Sequence, residues 1–145
     1  MSGIVVGVDG STGSRQALDW AVREAALRHA PLTVLSVHEV IKSQWTGNPV
    51  LVPADQPAIE RVRQAVEELT LKATSELGDD KPASVTVRAV NGFIAEELIS
   101  ASHDADLIVV GSRGVGGFAS LLLGSVSSQV VHHAECPVAV IHTQP

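Results

Sequence analysis

A single cysteine, Cys136, stands in the 145-residue chain, so no disulfide forms within it, and an oxidising compartment has no framework to act on. Aromatic residues are nearly missing, with two Trp, two Phe and no Tyr. Stacking platforms for single-stranded nucleic acid need such rings, which argues against that class of partner. Basic charge is also short: ten Lys and Arg face sixteen Asp and Glu, a net charge of −6. A field of that sign repels polyanions, so any phosphate site has to be built locally from backbone and a few side chains. No apolar run approaches the roughly 18 residues needed to cross a bilayer, and Met1-Ser-Gly-Ile-Val-Val6 leads into a strand without a basic signal region. These absences point to a cytoplasmic, membrane-free protein. Length and composition, 45% hydrophobic and 18% charged, predict one globular domain over residues 1–145.

What is present is periodic. Ile4-Val-Val-Gly-Val8 and Leu107-Ile-Val-Val110 are continuous apolar runs, the pattern of strands buried on both faces. Leu32-Thr-Val-Leu-Ser-Val37 and Pro137-Val-Ala-Val-Ile141 read as two further strands. Ser84-Val-Thr-Val-Arg-Ala-Val90 alternates and suits a half-exposed position. Between them, Ala17, Leu18, Ala21, Val22 and Ala25 share one face of a helix over about 14–29, with Ser11, Thr12 and Ser14 as candidate caps. Ile59, Val62, Val66, Leu69, Ala73 and Leu77 line a longer helix that Gly78 stops. Ile94, Leu98 and Ile99 mark a third helix, and Leu122, Val126 and Val130 a fourth. Residues 39–57, with Gly47 and three prolines, form an irregular excursion.

Strands alternating with helices require a parallel sheet joined by right-handed crossovers. The continuously apolar first and fourth strands belong in the middle, and the alternating third at an edge. The order 3-2-1-4-5 satisfies both. It places a switch point between strands one and four, where open α/β sheets bind ligands beyond the carboxyl ends of the strands. Those ends are Asp9 and Gly111.

Immediately after the fourth strand the chain changes character, with five glycines and five serines between Gly111 and Ser128. Bare backbone at glycine turns and at a helix N-terminus forms an anion cradle, and the plain alternative is that these glycines only permit tight turns. Gly-Lys-Ser/Thr is absent, which excludes a P-loop NTPase, and Gly7-Val-Asp-Gly10 has only part of the dinucleotide fingerprint.

Gly111, two residues, Gly114, nine residues, then Gly124-Ser125 is similar to the Gly-x2-Gly-x9-Gly-Ser/Thr pattern of nucleotide-binding universal stress proteins. The match continues through Asp106-Leu-Ile-Val-Val-Gly111, Val6-Gly-Val-Asp-Gly-Ser11 and Cys136-Pro-Val-Ala-Val140, so the chain resembles that family from end to end. The resemblance implies a Rossmann-like, adenine nucleotide alpha hydrolase-like, doubly wound dimer that binds ATP in some members. Carried over, Gly111, Gly114, Gly124 and Ser125 would surround ribose and phosphates, with Arg113, Val126 and Ser127 beside them. Asp9 would face the ribose or a phosphate-bound Mg²⁺, or else cap its own loop. The backbone of Val37 would meet adenine. Pairing of strand 138–141 across a two-fold axis is expected, since that edge is apolar and uncharged.

Other candidates read as structural. His132-His133 sits late in a helix, where positive charge is favoured, and Cys136 packs as a small hydrophobe. Glu96-Glu97 is a solvated helix face, Trp20 a boundary or contact residue, and His38 an exposed loop histidine beside the adenine position. No nucleophile–base pair is evident, so a nucleotide-binding regulatory protein with little or no hydrolysis is the favoured reading. The alternatives are a slow nucleotide-hydrolysing or adenylate-forming enzyme, and a dimeric interaction module without nucleotide.

Overall fold

The computed structural model describes residues 3–9, 12–38, 56–112 and 125–142. Among the described residues nine elements alternate: β1 (Ile4–Gly7), α1 (Thr12–Arg28), β2 (Pro31–His38), α2 (Gln56–Ser75), β3 (Ser84–Asn91), α3 (Ile94–Ala101), β4 (Leu107–Gly111), α4 (Ser125–His133) and β5 (Val138–Ile141). All strand pairs are parallel, and the order is β3-β2-β1-β4-β5. The expected topology is therefore the observed one. Leu122 and the excursion after His38 lie outside the described residues.

Side-chain alternation along the central strands divides the core. Leu107 and Val109 face one way, with Ile4, Val6 and the small-residue face of α1, where Ala17, Ala21 and Ala25 are fully buried. Val66 and Ala73 of α2 join this layer. Ile108 and Val110 face the other way, with Leu35 and with Ala95 and Leu98 of α3 and Val130 of α4. A strand buried on both faces must be apolar at every position, which is why β4 reads as an unbroken run. β3 departs from clean alternation at its start, where Ser84, Val85 and Thr86 are all exposed; Val87 is half-buried, Arg88 is exposed again, and Ala89 to Asn91 are half-buried. Its position at an edge lets even Val85 stay 40% exposed.

Turn chemistry matches the sequence where it can be followed. Gly78 has φ +70° in the turn after α2, a left-handed conformation that a Cβ disfavours. His29 takes the equivalent place after α1, at φ +51°, and Ala30 N–H donates to the Ala25 carbonyl at 2.9 Å. At the same end of the sheet, Asp106 N–H donates to the Gly3 carbonyl at 2.8 Å and fixes where β4 begins.

Candidate functional site

The switch point between β1 and β4 gathers the described part of the expected site. β1 ends at Gly7, but Val8 extends the ladder by one bond, its N–H donating to the Leu35 carbonyl at 2.9 Å. The chain then leaves the sheet at Asp9, which is exposed. Asp9 N–H donates to the Ser14 hydroxyl at 3.2 Å, so a buried serine in the first turn of α1 holds the carboxylate-bearing residue at the mouth of the crevice. Of the three candidate caps, Ser14 is the one seen to take this bond. The side chains of Ser11 and Thr12 lie outside the described residues.

Gly111 closes β4 against the same helix end. A Cβ at this position would stand 2.9 Å from the Gly13 carbonyl oxygen and 3.0 Å from its carbon. Those are backbone atoms with nowhere to go. The glycine is thus required by the contact between β4 and the first turn of α1, whatever else it serves, and the contact brings Gly111 and the Asp9–Ser14 loop to one place.

Past Gly111, Ser112 is buried and its N–H donates to the Ile141 carbonyl at 2.9 Å. Its own carbonyl accepts from the hydroxyl of Ser127, 1% exposed, at 3.3 Å. The first turn of α4 is thereby tied to the end of β4, which sets the N-terminus of that helix beside the crevice. α4 begins at Ser125; the Ser125 side chain, Arg113, Gly114 and Gly124 fall outside the described residues. Val126 is half-buried and joins the cluster that includes Val37, the penultimate residue of β2. The structure therefore brings together Asp9, Val37, Gly111, Val126 and Ser127 at the carboxyl end of the sheet.

What the residues offer chemically is limited and definite. Among the described residues there are the exposed carboxylate of Asp9, a helix start beside the crevice, bare backbone at Gly111, and an aliphatic surface alongside. An anionic ligand with an apolar part fits this set, and Asp9 is suited to a phosphate-bound Mg²⁺, which needs only one or two protein carboxylates. Among the described residues no three His, Cys, Asp or Glu side chains converge to hold a metal ion on their own. His132 and His133 are exposed, and a His132 ring nitrogen lies 3.0 Å from the Ser128 carbonyl. A separate open groove of about 550 Å³, lined by Glu67, Leu71, Lys81 and Val85 among others, lies between α2 and β3. It is at the far edge of the sheet and takes no part in the crevice.

The model of the universal stress protein family matches residues 1–142. The chain belongs to the universal stress protein family. A universal stress protein of Mycolicibacterium smegmatis is 36% identical over 140 residues, covering 97% of this chain and 48% of the relative. One from Mycobacterium tuberculosis is 38% identical over 141 residues with the same coverages. The chain thus spans about half the length of these curated relatives. Among solved structures, the universal stress protein of Lactobacillus plantarum superposes with a TM-score of 0.71 at 23% identity over 97% of each chain. A universal stress protein in complex with cAMP gives 0.68 at 26% identity, covering 99% of this chain and 98% of that one. One from Archaeoglobus fulgidus in complex with dAMP gives 0.67 at 20%, covering 97% and 98%. No described helix of this universal stress protein is long and apolar enough to cross a membrane.

Sequence reasoning undervalued three residues here. The sequence offers Ser14 only as one of three caps and assigns no role to Gly13 or Ser112. Gly13 is the second residue of α1, and only the packing of α1 on the end of β4 pairs it with Gly111. For Ser112 a serine directly after a buried strand gave no direction.

Proposed function

We propose that this universal stress protein, a single domain over residues 1–145, binds ATP in the crevice between β1 and β4 and acts by regulation rather than by turnover. The observation that carries the reading is the convergence of Asp9, Gly111 and the start of α4 at one end of the sheet, held by the Asp9–Ser14 and Ser127–Ser112 hydrogen bonds. The universal stress protein solved with cAMP, alike over nearly the whole of both chains, supports an adenine nucleotide as the ligand class. In this reading Gly111, Gly114, Gly124 and Ser125 accommodate ribose and phosphates, with Arg113 as the local cation. Val126 and Ser127 complete the first turn of α4, and the Val37 backbone meets adenine. Asp9 faces the ribose or a Mg²⁺ on the phosphates. Little hydrolysis is expected, because no P-loop lysine is present and no described nucleophile–base pair faces the crevice. The working form is a cytoplasmic homodimer paired through β5.

The test is direct. Protein purified from cells is precipitated with acid and the supernatant assayed for adenine nucleotide, and calorimetry with Mg-ATP is run on the emptied protein. About one nucleotide per chain, lost in Gly114→Val with the fold intact, supports the site. Bound ATP with no phosphate released over minutes supports regulation. Well-folded protein that takes up no nucleotide refutes the reading.

A further inference from the structure

The far edge of the sheet, away from the crevice, carries an open strand and a groove side by side. β3 pairs only with β2 among the described residues. The direction of its backbone groups follows from the ladder. Val8 N–H donates to the Leu35 carbonyl, so the odd-numbered residues of β2 turn their backbone to β1 and the even-numbered ones to β3. Leu32 stands opposite Val85, and Val34 opposite Val87. The even-numbered residues of β3 therefore bond to β2, and the N–H and C=O groups of Val85, Val87 and Ala89 point outward. β3 is eight residues long and carries one charge, which leaves little to block a further strand.

Side chains on this edge divide by face. Val87 packs on the α1–α2 layer, and Val85 beside it lines the groove of about 550 Å³ between α2 and β3. Leu71 of α2, 69% exposed, and Pro82 complete the apolar lining. Ser84, Thr86 and Arg88 have the opposite parity and are all exposed. Charge here runs against the net −6 of the molecule. Lys81 at the groove and Arg88 on the other face enter no ion pair among the described residues, whereas the carboxylate of Glu67 is held by Arg63. Asp79 and Asp80 precede Lys81 and do not line the groove.

A groove flanked by an open ladder suits a ligand that has a backbone of its own, because a lipid or other small molecule would leave the ladder unpaired. We propose that this edge docks an extended segment of a partner protein as an added strand beyond β3. The segment is apolar at alternate residues, which enter the groove past Leu71 and Val85, and acidic at the others, which meet Arg88. Hydrogen bonds to Val85, Val87 and Ala89 hold any such strand, and the groove and the two cations select its sequence. The site is independent of the nucleotide crevice.

The probe is a fluorescein-labelled peptide of the length of β3, alternating valine with glutamate, titrated into the whole protein and read by anisotropy. Its controls alternate valine with lysine, or keep the first composition with the valines gathered in one block. The alternating acidic peptide is expected to bind roughly tenfold more tightly than either control. Leu71→Asp, at an exposed position, and Val85→Pro, which removes an outward N–H, are each expected to weaken it by roughly tenfold. Leu71→Asp keeps the measurement available should the proline unfold the edge. Hydrogen exchange supplies the signature of an added strand: bound peptide slows the amides of Val85, Val87 and Ala89 and leaves those of Thr86 and Arg88, already bonded to β2, unchanged. No binding, equal binding of all three peptides, full affinity in Leu71→Asp, or binding without this alternating protection overturns the proposal. An assembly of the protein alone that Val85→Pro dissociates would make the occupant a second copy and overturn it as well.

Discussion

The hydroxyl of Ser127 donates to the backbone carbonyl of Ser112 at 3.3 Å, and both residues are buried. A residue expected to meet ligand thus also locks the first turn of α4 to the strand beside it. Removing the hydroxyl leaves a buried carbonyl with one partner fewer, at a cost of about 1 kcal/mol. Ser127→Ala is expected to lower the urea midpoint accordingly, with the slope of the transition unchanged. If helix position matters to the site, nucleotide affinity falls by a few-fold in the same variant. A midpoint equal to wild type would show that this bond contributes nothing net.

Gly111 has a second, harsher test. A methyl group there meets the Gly13 carbonyl at 2.9 Å, and relief requires α1 or β4 to move as a unit. Overpacking of this kind costs about 1–3 kcal/mol. Gly111→Ala is therefore expected to lower thermal stability even without nucleotide, whereas a glycine kept only for a ligand would tolerate the change in the empty protein. Differential scanning calorimetry on nucleotide-free protein distinguishes the two.

The topology was legible because burial imposes a rule at every position of a central strand, and Leu107 to Val110 obey it. The division of the core into two layers follows from the same residues, since Val109 and Val110 point to opposite helices. The site was legible only in part. Gly-x2-Gly-x9-Gly-Ser announces where backbone must be bare, but Gly111 is also forced by Gly13, more than ninety residues earlier in the chain. Contacts of that range carry no local periodicity. β3 misled slightly, because an edge position relaxes the alternation that the sequence suggested.

Cys136 supplies a pH test. Burial pushes its thiol above the ordinary value of 9.0, opposed by a backbone hydrogen bond from Ile108 and reinforced by the nearby Asp106. The folded chain therefore keeps the proton where the unfolded chain has lost it. Its stabilising effect is complete below about pH 9 and declines as pH rises from there towards the folded value, above which it is flat. Urea titrations of wild type and Cys136→Ala across this range are expected to show a steeper alkaline loss in wild type. The same shift predicts slow reaction with a thiol reagent at pH 8, since the thiolate is the reactive form. Parallel stability curves, or rapid labelling at pH 8, would contradict the assignment.

β5 pairs with β4 along one side, and among the described residues no strand covers its other side. The carbonyls of Pro137 and Ile141 accept from Ile108 and Ser112 at 3.0 and 2.9 Å. Parallel-ladder geometry then turns the backbone groups of residues 137, 139 and 141 towards β4 and those of Val138 and Val140 outwards. All four side chains from Val138 to Ile141 are half-buried, Val138 and Val140 on the α3–α4 layer and Ala139 and Ile141 on the α1–α2 layer. An edge this short, apolar and uncharged is a template for a second copy of itself, and a two-fold axis pairs the strands antiparallel. Two substitutions probe it differently. Val140→Lys places a charge at the junction and is expected to yield monomer or aggregate. Val140→Pro removes only an outward N–H, a loss that edge strands tolerate in a monomer, so it is expected to give folded monomer with the wild-type circular dichroism spectrum. Light scattering at micromolar concentration reads both. A wild type that is monomeric at that concentration, or a Val140→Pro variant that remains dimeric, would place the interface elsewhere.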